Sequence, residues 1–267
     1  MKKIVNFKRA FFLLLILCSP LALANNVVDK NLVGIWQVKH VYIDTSLMSS
    51  PGTLPDDPFL VGRTLDFSQN KINGQMLVDE GCTQPALSTQ PATTFNKLLI
   101  STFGAPENGL ITDNYLLPYK AETAVTPMVV TCSAGLFGPE GESIGSWLTL
   151  INGQTMMVNW DNNALVTLEK VPANAQPKPS FNCQHATIAS EKKICSSFDL
   201  AAWDSSVNDA YKMVEAEYKR LDKAEELSAL KNGQRKWLTE RNNCNNDADC
   251  LSKKMADRVL DLTENFK

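Results

Sequence analysis

The chain has 267 residues, with 26 Lys plus Arg against 29 Asp plus Glu, 44% apolar residues, seven cysteines and two histidines. That is a globular composition with room for one large or two ordinary domains. So even a charge balance excludes a strongly basic nucleic-acid binder, and His40 and His185 alone are too few for a multi-histidine metal centre.

Lys2, Lys3, Lys8 and Arg9 precede the apolar run from Ala10 to Leu17, and Ala22-Leu23-Ala24 closes the stretch with the small-x-small pattern of a signal-peptidase site. Residues 1–24 read as a cleaved export signal. The apolar run breaks at Ser19-Pro20, short of the roughly 20 residues that span a bilayer, so no stable membrane insertion is expected after cleavage. Leu17 and Ser19 around Cys18 do not suit a lipoprotein site. The mature chain would carry 22 basic and 29 acidic residues and six cysteines. An even number in a periplasmic or secreted protein predicts three disulfides.

Residues 25–171 predict an antiparallel β domain, a barrel or a sandwich. Short alternating runs cover Gly34 to Ile43, Arg63 to Phe67, Lys97 to Ser101, Met128 to Cys132, Trp147 to Ile151, Thr155 to Trp160 and Leu165 to Val171. Asn73-Gly74 and Asn152-Gly153 have hairpin chemistry because both residue types tolerate positive φ, and Asp161-Asn162-Asn163 can close another tight turn. The last three runs form a predicted meander. Cys82 and Cys132 are the two cysteines of this half, so a bridge between them is the economical pairing. It would contribute roughly 3–4.7 kcal/mol by restricting the unfolded chain. Gly34-x-Trp36 is similar to the opening of lipocalin-type barrels, but the two-residue match favours a tryptophan packed in an ordinary β core.

Three prolines between Pro172 and Ser180 rule out regular structure, which makes residues 172–180 a linker. Beyond it the apolar period becomes helical, and residues 181–267 predict a small all-α bundle. A short helix is expected over Ala186 to Ile194. A long one presents Leu200, Trp203, Val207, Tyr211, Val214, Tyr218 and Leu221; another Leu227, Leu230, Gln234, Trp237 and Arg241; and a last Leu251, Met255, Arg258, Val259 and Leu262. Four cysteines allow three connectivities. Cys244 and Cys250 can meet only if the helix stops between them; Asn245-Asn246 provides the break and Asp247 the next cap, which favours this pair together with Cys183 and Cys195.

Phe181-Asn182-Cys183, Ser190-Glu191-Lys192-Lys193-Ile194-Cys195, Leu200-Ala201-Ala202-Trp203-Asp204 and Tyr211 resemble the start of the LprI-type lysozyme inhibitor domain. Gln234-Arg235-Lys236-Trp237-Leu238, Arg241-Asn242-Asn243-Cys244, Cys250-Leu251 and Arg258 continue the likeness over residues 180–265. Trp203 stands where a leucine is usual and Met255 where a tyrosine is usual. The resemblance implies an exported, disulfide-stapled helical module, at least one relative of which blocks lysozyme. Glu191, Asp204, Tyr211, Gln234, Trp237 and Arg241 form its motif. Helical spacing favours a structural role for them, with Arg241 facing a carboxylate such as Glu191 or Asp204 inside the bundle.

No constellation for catalysis is present. The chain lacks G-x-S-x-G, H-E-x-x-H and a glycine-rich phosphate loop, and Asp56-Asp57 and Asp79-Glu80 sit in loops of Pro and Gly. No enzyme, cofactor or metal is expected. Charge supplies a further clue, since residues 25–175 hold seven basic and fourteen acidic residues while residues 176–267 hold fifteen of each. An acidic β domain suits a basic protein partner, with Asp56, Asp57, Glu140 and Glu142 as candidate contacts. The leading expectation is occlusion of a lysozyme-type cell-wall hydrolase. An immunity protein against a secreted toxin, or a β-barrel holding a small apolar ligand, are the alternatives.

Overall fold

The computed structural model describes residues 28–46, 52–77, 81–139, 144–161 and 163–264. Residues 1–24, expected to be an export signal, and Asp79-Glu80, Glu140 and Glu142 lie outside the described residues.

The first half folds into a nine-stranded antiparallel sheet. Its strands are β1 (Gly34–Tyr42), β2 (Thr64–Phe67), β3 (Lys71–Asn73), β4 (Cys82–Thr83), β5 (Ala86–Thr89), β8 (Met128–Thr131), β9 (Trp147–Leu150), β10 (Thr155–Trp160) and β11 (Ala164–Lys170). Their order is β4-β3-β2-β1-β11-β10-β9-β8-β5, while β6 (Thr93–Thr94) and β7 (Ala124–Val125) form a separate pair. β4 and β5 lie on opposite edges yet are two residues apart in the chain, so the sheet must curl until its edges approach. At that seam Thr83 N donates to Ala134 O and Ser133 N donates to Thr83 O, both at 2.9 Å, and Cys82–Cys132 bridges it. Gly135, at φ 75°, is required there because a Cβ would run into the carbonyl oxygen of Gly81.

The concave interior is filled by Trp36, Leu65, Phe67, Ile72, Met156 and Leu168, all essentially inaccessible. β9, β10 and β11 form the predicted meander, with Asn152 Oδ1 accepting from Gln154 N and Thr155 N in the first turn. Asn73-Gly74 does not close a hairpin. The β2–β3 turn instead closes where Ser68 N donates to Lys71 O, and Gly74 follows β3 because a Cβ there would strike the Thr64 carbonyl.

The expected strand over Lys97 to Ser101 is a helix, α1 (Phe95–Phe103). Thr94 caps it by accepting from Lys97 N, Gly104 ends it at φ 90°, and Phe95, Leu98 and Leu99 make one buried face. With the short α2 (Ile111–Asn114) it packs on Trp147, Met157 and Leu165, covering the convex side of the sheet. This second layer explains why β10 and β11 are buried almost without interruption and do not alternate.

The second half holds a 3₁₀ turn at Cys183–His185 and helices α3 (Ala189–Cys195), α4 (Phe198–Arg220), α5 (Ala224–Asn242) and α6 (Ala248–Thr263). Disulfides join Cys183–Cys195 and Cys244–Cys250. Leu200, Trp203, Val207 and Val214 of α4 meet Leu251, Met255, Val259 and Leu262 of α6 to form the core, with Trp237 of α5 at its side. Between α5 and α6 the chain turns at Asn245, φ 52°, and Asp247 Oδ1 accepts from Asp249 N and Cys250 N. Asp247→Ala is expected to cost about 1 kcal/mol by orphaning those donors, visible as a lower urea midpoint at unchanged slope. No helix among the described residues is long and apolar enough to cross a membrane.

Candidate functional site

The motif residues of the helical half converge on Arg241. Its guanidinium arrives from the last turn of α5, and Nη1 donates to Asp204 Oδ1 of α4 at 3.0 Å, both side chains being about 5% exposed. Nε and Nη2 donate to Asn242 Oδ1 at 3.1 and 2.8 Å, and Ser190 Oγ of α3 donates to that same oxygen at 3.1 Å. Asp204 Oδ2 accepts from Ser180 N and Oγ at 2.8 and 2.6 Å, which fixes the end of the linker to α4. One buried cation thus ties together three helices and the incoming chain. Burial pushes the Arg241 pKa down, against the opposing fields of Asp204 and then Glu191.

Other motif members extend the lattice. Gln234 Oε1 accepts from Arg258 Nε and Nη2 at 3.1 and 3.0 Å, clamping α5 to α6. Trp237 Nε1 donates to Lys254 O at 3.3 Å, and the Arg241 guanidinium lies 5.6 Å from the Trp237 ring centre. Glu191 accepts from Thr187 N at 3.2 Å, while Tyr211 packs half-buried against the core. The structure therefore brings Asp204, Gln234, Trp237 and Arg241 into bonded contact with elements of the bundle. Asn242 and Ser180 hold the same network and are not among the residues the sequence singles out, although Asn242 adjoins Arg241 in the motif.

A second buried cation joins the halves. Asp57, which the sequence suggested as an acidic contact, is 1% exposed; its Oδ1 accepts from Phe59 N and its Oδ2 from Leu54 N. That carboxylate shapes the β1–β2 loop and is not available to a partner. The loop projects Phe59 edge-on to Trp203, with ring centres 5.2 Å apart, and brings the Arg63 guanidinium to 3.5 Å from the Trp203 ring centre. Arg63 Nη2 donates to Ser206 Oγ at 2.9 Å, and Thr64 Oγ1 donates to Asp199 Oδ1 at 3.3 Å. Burial drives the Arg63 pKa down to about 9 despite the nearby Asp199, whose own pKa burial raises. Trp203 is thus the platform on which the β1–β2 loop rests.

Asp56 remains exposed, with His40 Nδ1 3.3 Å from its carboxylate. Its φ of 46° turns the loop, and Oδ1 also accepts from Val41 N at 2.9 Å.

A disulfide-stapled helical bundle organised by a buried Arg–Asp pair is the class that this geometry defines. Residues 183–262 match the model of the family described as lysozyme inhibitor LprI. The match takes in the helical half and leaves the sheet outside it. No curated protein and no solved structure matches the chain.

Proposed function

We propose that this protein is an exported, non-catalytic inhibitor that binds a lysozyme-type cell-wall hydrolase and occludes its cleft. The observation that carries the reading is the match of residues 183–262 to a lysozyme inhibitor family. The disulfides in both halves suit an oxidising compartment, and the export signal read from residues 1–24 would deliver the chain there. We assign the motif around Arg241 to maintaining the bundle, since its polar atoms are occupied by one another. The acidic excess of residues 25–175 favours encounter with a basic hydrolase, with exposed Asp56 among the contributing charges.

Calorimetric titration of the mature protein into a basic c-type lysozyme, with and without a saturating chito-oligosaccharide, tests occlusion. Binding that the saccharide suppresses is expected; binding indifferent to it would remove occlusion of the cleft. The barrel-ligand alternative gains no support, because the concave interior of the sheet is occupied by its own side chains.

A further inference from the structure

A cleft of about 850 Å³ opens between the outer face of β1 and β11, the linker, and α4. This is within the roughly 300–1,000 Å³ range of ligand sites. Its floor is apolar and low because α4 presents Ala201 and Ala202, with Val61 and Gly62 opposite; a Cβ on Gly62 would lie 3.0 Å from that of Ala202. Phe198 of α4 and Pro58 of the β1–β2 loop complete its apolar lining.

The rim carries charges of both signs that do not neutralise one another. Lys39, Lys170 and Lys178 line the cleft with Asp56, Glu169 and Asp209; Asp56 faces His40, and no ion pair among the described residues joins any of these lysines to a carboxylate. Lys39 Nζ donates to the neutral Gln37 Oε1 and Lys170 Nζ to Asn31 O, each at 2.8 Å. Separated opposite charges around one opening suit a ligand that itself carries both.

The linker wall adds a directional element. Pro177 and Pro179 hold Gln176 and Lys178 in extended backbone, and the N–H groups of these two residues meet no backbone acceptor. Both residues line the cleft at a spacing of two, the repeat with which an extended chain presents its carbonyls. Val171 N is committed to Ile35 O and Lys178 O accepts from Ser205 Oγ of α4 at 3.2 Å, while the N–H groups of Gln176 and Lys178 stay without a backbone acceptor along the cleft.

We infer that this cleft binds an extended peptide segment bearing both a basic and an acidic side chain, its backbone pairing with the linker at Gln176 and Lys178. This goes beyond the hydrolase reading and does not depend on it. The probe is a positional-scanning pool of N-acetylated, C-amidated heptapeptides selected on the immobilised mature protein, followed by calorimetry on the enriched sequences.

Enrichment of sequences containing at least one Lys or Arg together with one Asp or Glu is expected. Methylating alternate backbone nitrogens of the peptide in one of its two registers should leave affinity intact, and in the other weaken it at least tenfold. Reversing two exposed rim charges, Glu169→Lys with Lys178→Glu, should weaken binding at least fivefold at an unchanged thermal midpoint. Ser205→Trp, which fills the cleft, should abolish it. No enrichment, enrichment without a charge requirement, equal binding by the Ser205→Trp or charge-reversed protein, or indifference to N-methylation in both registers would each overturn the assignment.

Discussion

Arg241→Ala is expected to destabilise the helical half by about 3–5 kcal/mol, the range for removing one partner of a buried ion pair. The loss has three sources. Asp204 would keep a desolvated carboxylate facing an empty position, Asn242 Oδ1 would lose two of its three donors, and α5 would lose its main polar link to α4. A core of this size, stapled by two short-range disulfides, has little stability to spare. The measurement is a thermal melt followed by far-ultraviolet circular dichroism. Asp204→Asn, which keeps an acceptor for Ser180, should cost less than Arg241→Ala, and the double variant less than the sum of the two. An Arg241→Ala protein with an unchanged midpoint but no hydrolase binding would reverse the assignment and make Arg241 a contact residue.

The next largest effect is expected at Arg63, where Ala should cost about 2–5 kcal/mol by leaving a void beneath Trp203 and removing the donor to Ser206. Because this side chain joins the sheet to α4, the variant should also separate one unfolding transition into two, seen by differential scanning calorimetry. Arg63→Met, of similar length and uncharged, should restore most of the loss. Burial lowers the folded pKa of this guanidinium, so the unfolded chain holds its proton more tightly. Its charge therefore costs stability in full below pH about 9, and that cost shrinks as pH rises above it. The remaining deficit of Arg63→Met against the parent protein is expected to be smaller at pH 7 than at pH 10, as read from urea midpoints. Buried Nε and Nη1 of Arg63, with no hydrogen-bond partner, add to the same cost.

Much of the fold was legible because apolar period and turn chemistry agree locally. β1, β9, β10 and β11 announce themselves by β-branched and aromatic runs, and α4 to α6 by stripes at three and four with identifiable stops. Asp247 was readable as a cap because a break was needed between two cysteines. The misread segment was α1, where Leu98, Leu99 and Ile100 look like a buried strand over a five-residue window. Its helical character lies in the wider pattern of Phe95, Leu98, Leu99 and Phe103 between Thr94 and Gly104. Short strands such as β3 and β4 are not legible because two or three residues carry no period; β3 forms by pairing with β2 and β4, and β4 by its contact across the seam.

The site was legible in part. Arg241 and its choice of carboxylates followed from helical spacing, but only packing selects Asp204 over Glu191, which sits at the edge of α3 and accepts from Thr187 N. Asp57 illustrates the opposite error. Two adjacent aspartates between prolines look like a solvated acidic turn, yet one of them turns inward to organise the loop that docks on Trp203. No residue type or spacing distinguishes Asp56 from Asp57; the difference arises from the turn of the loop, which aims Leu54 N and Phe59 N at the Asp57 carboxylate. The sequence likewise did not reveal Arg63 as a buried cation, since its partners lie more than 130 positions away.

Inhibition itself is most directly measured by a turbidity assay, in which purified mature protein is titrated into c-, g- and i-type lysozymes acting on cell-wall suspensions at low and high salt. The account predicts dose-dependent protection of the suspension against at least one enzyme class at micromolar inhibitor, weakening as salt screens the acidic sheet region. Undiminished lysis by all three classes at that concentration would contradict it.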